Sequence, residues 1–333
     1  MSAHQIHPRE NLRSIAYGFQ ESRILLTAFE LGIFTALGKR RTPSYIIAKK
    51  IGTDPRATDR LMNALVVMHL LEKNSRGFLN TEASFRQLSK KSGEYMAGLA
   101  HTGHLWNSWS TLTEAVREGT SVLRKRGTPV RTSDWLASFI AAMHDRARKQ
   151  APAVVRSMDL SGIKRVLDVG GGPGTFSMAF VRAKRSIRAT IFDLPNVIPL
   201  ARHYIKEGRC DKKIDLVSGD YMVDPLPVGY DLVFLSAIIH SNSASQNQLL
   251  LRKCERSLNR GGRIVIQDWI MDDTRTRPAA GAMFSLNMLV GTSAGDTYTK
   301  TEVKSWMKDA GLIRVERNET PFGVSQLIGY CAK

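Results

Sequence analysis

The chain has 333 residues, 43% hydrophobic and 23% charged, a globular composition long enough for two domains and a large core, which excludes an intrinsically disordered chain. Its 48 Lys and Arg against 30 Asp and Glu leave a net charge of +18, a balance that favours anionic partners: nucleic acid, an acidic membrane surface or an acidic substrate. No apolar run approaches the roughly 20 residues needed to span a bilayer, and the polar first ten residues lack a signal-peptide core, so a cytoplasmic protein is expected.

The basic residues are scattered, densest at Lys39-Arg40-Arg41, Lys49-Lys50, Arg124-Lys125-Arg126 and Lys184-Arg185, without the interleaved aromatics of a single-strand binding groove. A generally solvated basic surface accounts for them. Cys210, Cys254 and Cys331 lie far apart with no Cys/His clustering, which predicts reduced packing residues and neither a disulfide framework nor a metal site.

In chain order, residues 14–37 read as helix, apolar at Ile15, Phe19, Ile24, Leu25, Ala28 and Leu31 and interrupted by Gly32. Thr42-Pro43-Ser44 then starts a short helix, Thr53-Asp54-Pro55 a second, and Lys73 to Gly77 forms a hairpin turn before Phe78. Helix, helix and hairpin in that order describe a winged helix. A DNA-reading second helix needs an exposed face of Arg, Lys, Asn and Gln, whereas Asp59 to Met68 is largely apolar, which fits burial against another subunit better. Helical patterning continues to Met158, with a basic loop at residues 124–131.

After Gly162 the period changes to alternating strands and helices, the pattern of a doubly wound α/β sheet. Strands are expected at residues 165–169, 188–193, 214–218, 231–239 and 263–269, helices near 176–183, 197–207, 246–259 and 301–310, and an antiparallel pair at 312–317 and 324–331. The division into domains falls at residues 1–158 and 159–333.

The first strand runs into Asp168-Val169-Gly170-Gly171-Gly172-Pro173-Gly174, and Asp193 ends the next strand 19 residues after the last glycine. A dinucleotide fingerprint counted from Gly170 would place its third glycine where Thr175 stands. Glycines at 170, 172 and 174 instead give the tighter loop of S-adenosylmethionine (SAM) enzymes, preceded by the acid they usually carry. An acid at the second strand end suits a ribose diol.

In open α/β sheets, ligands bind outside the carboxyl ends of the strands. The third such end carries Asp220, suited to an adenine amino group, with Tyr221 or Met222 for its face. The fourth carries His240, a candidate general base whose ordinary pKa of about 6.5 lets it take a proton from a hydroxyl. Asp268, closing the fifth strand, is placed to orient that imidazole, and Asp296 is a further acid. His240 alone reads equally as a hydrogen-bonded structural residue, and Asp268 as a loop cap.

With these motifs in order, the chain resembles the two-domain SAM-dependent O-methyltransferases, the family of caffeic acid and hydroxyindole O-methyltransferases and bacterial antibiotic-tailoring relatives. The resemblance runs from Ala28-Phe29-Glu30-Leu31-Gly32 through Trp109 to Val116, the glycine loop, Phe192-Asp193-Leu194-Pro195-Asn196, Gly219-Asp220, Ile239-His240, Leu258 to Arg263 and Thr299 to Glu302. It implies a SAM-binding Rossmann-like C-terminal domain, an N-terminal winged-helix domain that forms an intertwined homodimer rather than binding DNA, and a helical lid over a small-molecule acceptor. Carried over by position, Asp168, Gly170, Gly172, Gly174, Asp193, Leu194, Asp220, Tyr221 and Met222 match cofactor contacts. Ser236 stands where the plant enzymes have a cofactor-side Lys. His240 matches the base, Asp268 its acidic partner, and Phe139, Met143, Met283, Asn287 and Met288 substrate-lining positions.

The chain departs from the plant pattern after the histidine, where Ser241-Asn242 replaces Asp-Trp, and a second catalytic acid falls at or beside Asp296-Thr297. These departures leave open S- or N-methylation, which needs less help from a base. A SAM-binding, nucleic-acid-interacting regulator and a relative that has lost catalysis stay open as well.

Overall fold

The computed structural model describes residues 8–125 and 132–332. All but the first two residues of the basic loop expected at 124–131 lie outside the described residues. Packing divides the chain into a unit ending at His104 and a unit beginning at Leu105, whereas the sequence pattern places the domain boundary at 158.

The first unit is helical apart from one hairpin. Helices α1 (Pro8–Tyr17), α2 (Phe19–Glu30) and α3 (Ile33–Leu37) replace the single helix expected at 14–37, with breaks at Gly18 and Gly32. Then come α4 (Ser44–Ile51), α5 (Pro55–Val67), the antiparallel strands β1 (Leu71–Asn74) and β2 (Gly77–Asn80), and α6 (Glu82–Leu88). The Asp54 carboxylate accepts the Ala57 N–H at 2.7 Å and Pro55 occupies the first turn, which is why α5 starts there. Ala28, Phe34, Ile47, Met62, Leu65 and Phe78 close this unit's core. Helix α7 (Leu99–Trp109) runs across the division.

The second unit adds α8 (Leu112–Glu118) and the long α9 (Ser133–Arg156), then alternates β3 (Arg165–Val169), α10 (Thr175–Ala183), β4 (Arg188–Asp193), α11 (Ile198–Glu207), β5 (Ile214–Ser218) and β6 (Tyr230–Ser236). After α12 (Ala244–Arg256) follow β7 (Leu258–Asp268), α13 (Ala279–Gly291), α14 (Lys300–Asp309), β8 (Arg314–Glu319) and β9 (Ser325–Tyr330). The strands form one seven-stranded sheet in the order β5-β4-β3-β6-β7-β9-β8. The first five in that order are parallel, and β9 and β8 are antiparallel additions. Chain direction along the sheet reverses between β3 and β6, the switch point where an open sheet leaves a crevice.

Both faces of the sheet are covered at its centre, so β3, β4 and β6 are buried nearly throughout rather than alternating, whereas the edge strand β8 is polar and largely exposed. One core joins Val154 and Val155 of α9, Phe180 of α10 and Ile205 of α11 to Val166, Ile191 and Phe234. The other joins Leu250 and Leu251 of α12 and Trp306 and Met307 of α14 to Leu167, Val233 and Ile266.

Several bounds differ from the sequence pattern, among them the strand expected at 312–317, which runs as β8 from Arg314 to Glu319. The apolar run expected as strand to residue 239 leaves the sheet at Ala237, whose φ of 58° breaks the pleat, and Ile239–Ser241 form a 3₁₀ turn. Residues 258 and 259, expected at the end of a helix, belong to β7, where Leu258 pairs with Tyr230 across an irregular register. Helix α13 is apolar on all sides and offers no period to read.

Candidate active site

The crevice is built on the ends of β3, β4 and β6. Gly170, Gly172 and Gly174 have φ of 67°, 54° and 72°, the left-handed region that glycine adopts without penalty. Space also decides two of these positions. A Cβ on Gly170 would come within 2.3 Å of Ile238 Cδ1, and one on Gly174 within 2.6 Å of Ile191 Cδ1. The loop is held to the next strand by the Gly170 N–H, which donates to the Phe192 carbonyl at 2.8 Å.

Asp193 fastens the same loop. Its Oδ2 accepts the Gly172 N–H at 2.7 Å and its Oδ1 the Leu194 N–H at 2.7 Å, so each oxygen keeps a lone pair for a diol. Burial raises the Asp193 pKa above the usual carboxylate range, and the two backbone donors oppose that shift. Leu194 is exposed beside it. Asp168 lies beneath the loop, buried, accepting the Ser177 hydroxyl of α10 at 2.7 Å. Desolvation, countered by Ser177 and reinforced by the Asp193 charge, pushes its pKa up to about 7.

At the end of β5, Asp220 Oδ1 accepts the Met222 N–H at 2.8 Å and so shapes the turn. The Lys253 ammonium of α12 donates to the carbonyls of Tyr221, Met222 and Asp224 at 2.9, 3.0 and 2.9 Å. Ser236, at the end of β6, accepts from Gln267 Nε2 at 3.2 Å.

His240 sits in the 3₁₀ turn after β6. Its Nδ1 lies 2.8 and 3.0 Å from the two carboxylate oxygens of Asp268, which also accepts the Trp269 N–H at 2.8 Å. A carboxylate only accepts, so Nδ1 carries the proton and Nε2 is the basic nitrogen. Both side chains are secluded, at 12% and 3% exposure. Phe284 packs against the imidazole in a T-shaped arrangement with ring centres 4.8 Å apart, and Trp269 lies beyond Phe284. The Arg146 guanidinium stands 5.4 Å over the Trp269 ring.

Asp296 is not brought to this pair by any hydrogen bond. Its carboxylate accepts the Thr297 N–H and pairs with Arg275 at 3.3 Å, in a surface cluster that includes Glu302. Of the other residues singled out from sequence, Phe139 stacks on Trp135 with centres 5.1 Å apart, and Asn287 Oδ1 accepts the Trp109 indole N–H at 3.0 Å. Met143 is half-buried, Met283 exposed and Met288 buried.

Sequence reasoning missed Phe284, one position beyond Met283 on the same helix. It also missed His144, whose Nδ1 lies 2.9 Å from the Thr175 hydroxyl at the start of α10 and whose ring packs on Tyr204. His144 follows Met143 directly, but nothing in the helical period marks it. Burial lowers its pKa, which favours the neutral ring.

Comparison with known proteins shows the family. The O-methyltransferase domain family matches residues 109–313, and the O-methyltransferase dimerisation domain matches residues 14–90. The 3-hydroxy-5-methyl-1-naphthoate 3-O-methyltransferase of Streptomyces sahachiroi is 32% identical over 91% of this chain and 89% of its own length. Acetylserotonin O-methyltransferase of Bos taurus is 30% identical over 93% of this chain and 94% of its own. The crystal structure of human N-acetylserotonin methyltransferase in complex with SAM superposes with a TM-score of 0.86 at 25% identity, covering 100% of both chains.

Proposed function

The chain belongs to the O-methyltransferase family, whose enzymes use S-adenosylmethionine, and on that premise we propose that His240 is the general base for methylation of a hydroxyl on a small aromatic acceptor. The observation that carries this reading is the His240–Asp268 pair, which leaves Nε2 basic at the carboxyl edge of the sheet. The alternatives of S- and N-methylation do not require such a pair.

When bound, SAM supplies an electrophilic methyl group and leaves as S-adenosylhomocysteine. The pocket's donors and acceptors fit that cofactor. Asp193 has a free lone pair on each oxygen for the ribose diol, Asp220 offers an acceptor for the adenine amino group, and the glycine loop admits the amino-acid part at close range. Leu194, Tyr221 and Met222 supply apolar surface. Asp168 acts from below by holding α10 under the loop, and Ser236 by fixing the end of β6 through Gln267.

His240 Nε2 takes the acceptor's hydroxyl proton as the oxygen bonds to the methyl carbon, and Asp268 stabilises the resulting imidazolium through Nδ1. Phe284 and Trp269 exclude water from the proton and offer faces for an aromatic ring. Phe139, Met143 and Asn287 line the acceptor side, and Asp296 has no part in the proton transfer. The relatives named for 3-hydroxy-5-methyl-1-naphthoate and acetylserotonin transfer methyl to oxygen, in keeping with this reading.

The protein acts as a homodimer, through the segment matching the dimerisation domain. Leu12, Ile15 and Phe19 are 66%, 69% and 53% exposed at helical spacing, an apolar stripe suited to a second copy rather than to nucleic acid. No helix among the described residues is long and apolar enough to cross a membrane, in keeping with a cytoplasmic site of action.

The test is calorimetric titration of SAM and S-adenosylhomocysteine, followed by a panel of phenols, thiols, amines and carboxylic acids read by S-adenosylhomocysteine release. Turnover of phenols that depends on His240 is the expected outcome. Turnover restricted to thiols or amines, and unaffected by His240→Ala, would sink the proposal.

A further inference from the structure

The departure from the plant pattern after His240 has a structural role in this chain. Asn242 is buried at 5% exposure and ends the His240 turn, and each of its polar groups is engaged. Its Oδ1 accepts the Tyr221 hydroxyl at 3.3 Å, and its Nδ2 donates to Asn247 Oδ1 at 3.1 Å. Its carbonyl accepts the Tyr298 hydroxyl at 2.5 Å, and its N–H donates to the Ile239 carbonyl at 3.3 Å. Asn247, fully buried on α12, returns through Nδ2 to that same Ile239 carbonyl at 2.8 Å. A Cβ on Gly295 would come within 2.3 Å of the His240 carbonyl, so the turn is also packed from the segment that carries Tyr298.

Two loops therefore meet on one amide. The Asp220–Asp224 loop is gripped by Lys253 from one side and by Asn242, through Tyr221, from the other. The His240 turn is held by Asn242 and Asn247. A tryptophan at position 242 has a donor but no acceptor for the Tyr221 hydroxyl, so this link belongs to the Asn present here. Buried polar networks of this kind couple strongly, because an unpaired member loses water as well as its partner.

We infer that Asn242 is a positioning residue that ties the adenine loop to the His240 turn, so that cofactor affinity and alignment of the base depend on one network. This rests on the reading of Asp220–Met222 as a cofactor contact. Asn242 touches neither reacting atom. It acts through Tyr221 and through the backbone of the turn.

The experiment is a double-mutant cycle on the full-length protein, with S-adenosylhomocysteine affinity by calorimetry, melting temperature, and kcat and KM where the panel yields an acceptor. Asn242→Ala weakens S-adenosylhomocysteine about tenfold and Tyr221→Phe less, and the double variant binds no more weakly than Asn242→Ala alone. Asn242→Asp keeps the acceptor for Tyr221 and loses the donor to Asn247. In that background Tyr221→Phe is again costly, which also covers an Asn242→Ala variant that fails to fold. Fold-losses that simply multiply overturn the coupling, as does a lowered melting temperature with unchanged affinity. Asp220→Ala, which removes the acceptor altogether, separates the two ideas. If it leaves S-adenosylhomocysteine affinity unchanged, the loop is not a cofactor contact and the inference falls with it. If it weakens binding while the cycle is additive, only the coupling fails.

Discussion

Nδ1 of His240 and Oδ1 of Asp268 stand 2.8 Å apart with both side chains shielded from water, and this fixes which ring nitrogen is free to accept a proton. His240→Ala should lower kcat by roughly 10²–10⁴, the usual share of a general base, while S-adenosylhomocysteine affinity stays within about twofold. Asp268→Asn should lower kcat as well, because the amide can present its NH₂ to Nδ1 and favour the wrong tautomer. Rates from S-adenosylhomocysteine release, paired with calorimetry, check both, and full activity in either variant removes that residue from proton transfer.

Gly170→Ala meets two penalties, a left-handed φ of 67° and a Cβ 2.3 Å from Ile238 Cδ1. The expected loss is about 1–3 kcal/mol of stability together with most of the cofactor affinity. Adding Ile238→Ala should recover part of that affinity by removing the clash and none of the backbone strain. Chemical denaturation and calorimetry on the single and double variants measure both.

Lys253→Met should weaken S-adenosylhomocysteine several-fold, since the carbonyls of Tyr221, Met222 and Asp224 lose their common donor. Lys253→Arg should restore part of the affinity. Unchanged binding in Lys253→Met would show that the loop keeps its shape without the clamp.

Asp168 makes stability depend on pH in an uncommon direction. Its folded pKa of about 7 lies above the unfolded value of about 4, so between them the folded chain holds a proton that the unfolded chain has released. Stability from this group is greatest near pH 4, falls as pH rises through the window, and is lost above about pH 7. His144, with a lowered pKa, has the opposite sign in the upper part of the window, so the comparison of wild type with Asp168→Asn isolates the acid. The neutral amide should flatten the fall by up to about 1.4 kcal/mol per pH unit, measured by urea unfolding at pH 5, 6 and 7. Parallel curves would place Asp168 in its ordinary range.

Leu12→Asp with Ile15→Asp puts two charges on the exposed stripe of α1 and should shift the sedimenting species toward monomer. A dimer that survives both changes is held by other surfaces.

Much of the sheet domain was legible because its strands are short apolar runs ended by glycine or acid. The first three parallel strands carry the bounds expected from sequence, and Asp193 and the glycine loop meet because adjacent parallel strands end on the same edge. The overrun at the end of β6 has a local cause. Ile238 and Ile239 are as apolar as the strand before them, and only the positive φ of Ala237 turns them out of the sheet, both into the core and Ile238 also against Gly170.

Sequence by itself determined the class of fold and marked the glycine loop, His240 and Asp268 as candidates, because each depends on local period or on residues at strand ends. Tertiary structure alone decided that Asp296 goes to Arg275, that Phe284 meets the imidazole, and that Asn242 joins two loops. Those choices depend on which side chains from distant segments share a few ångströms of buried space, and no spacing along the chain encodes that.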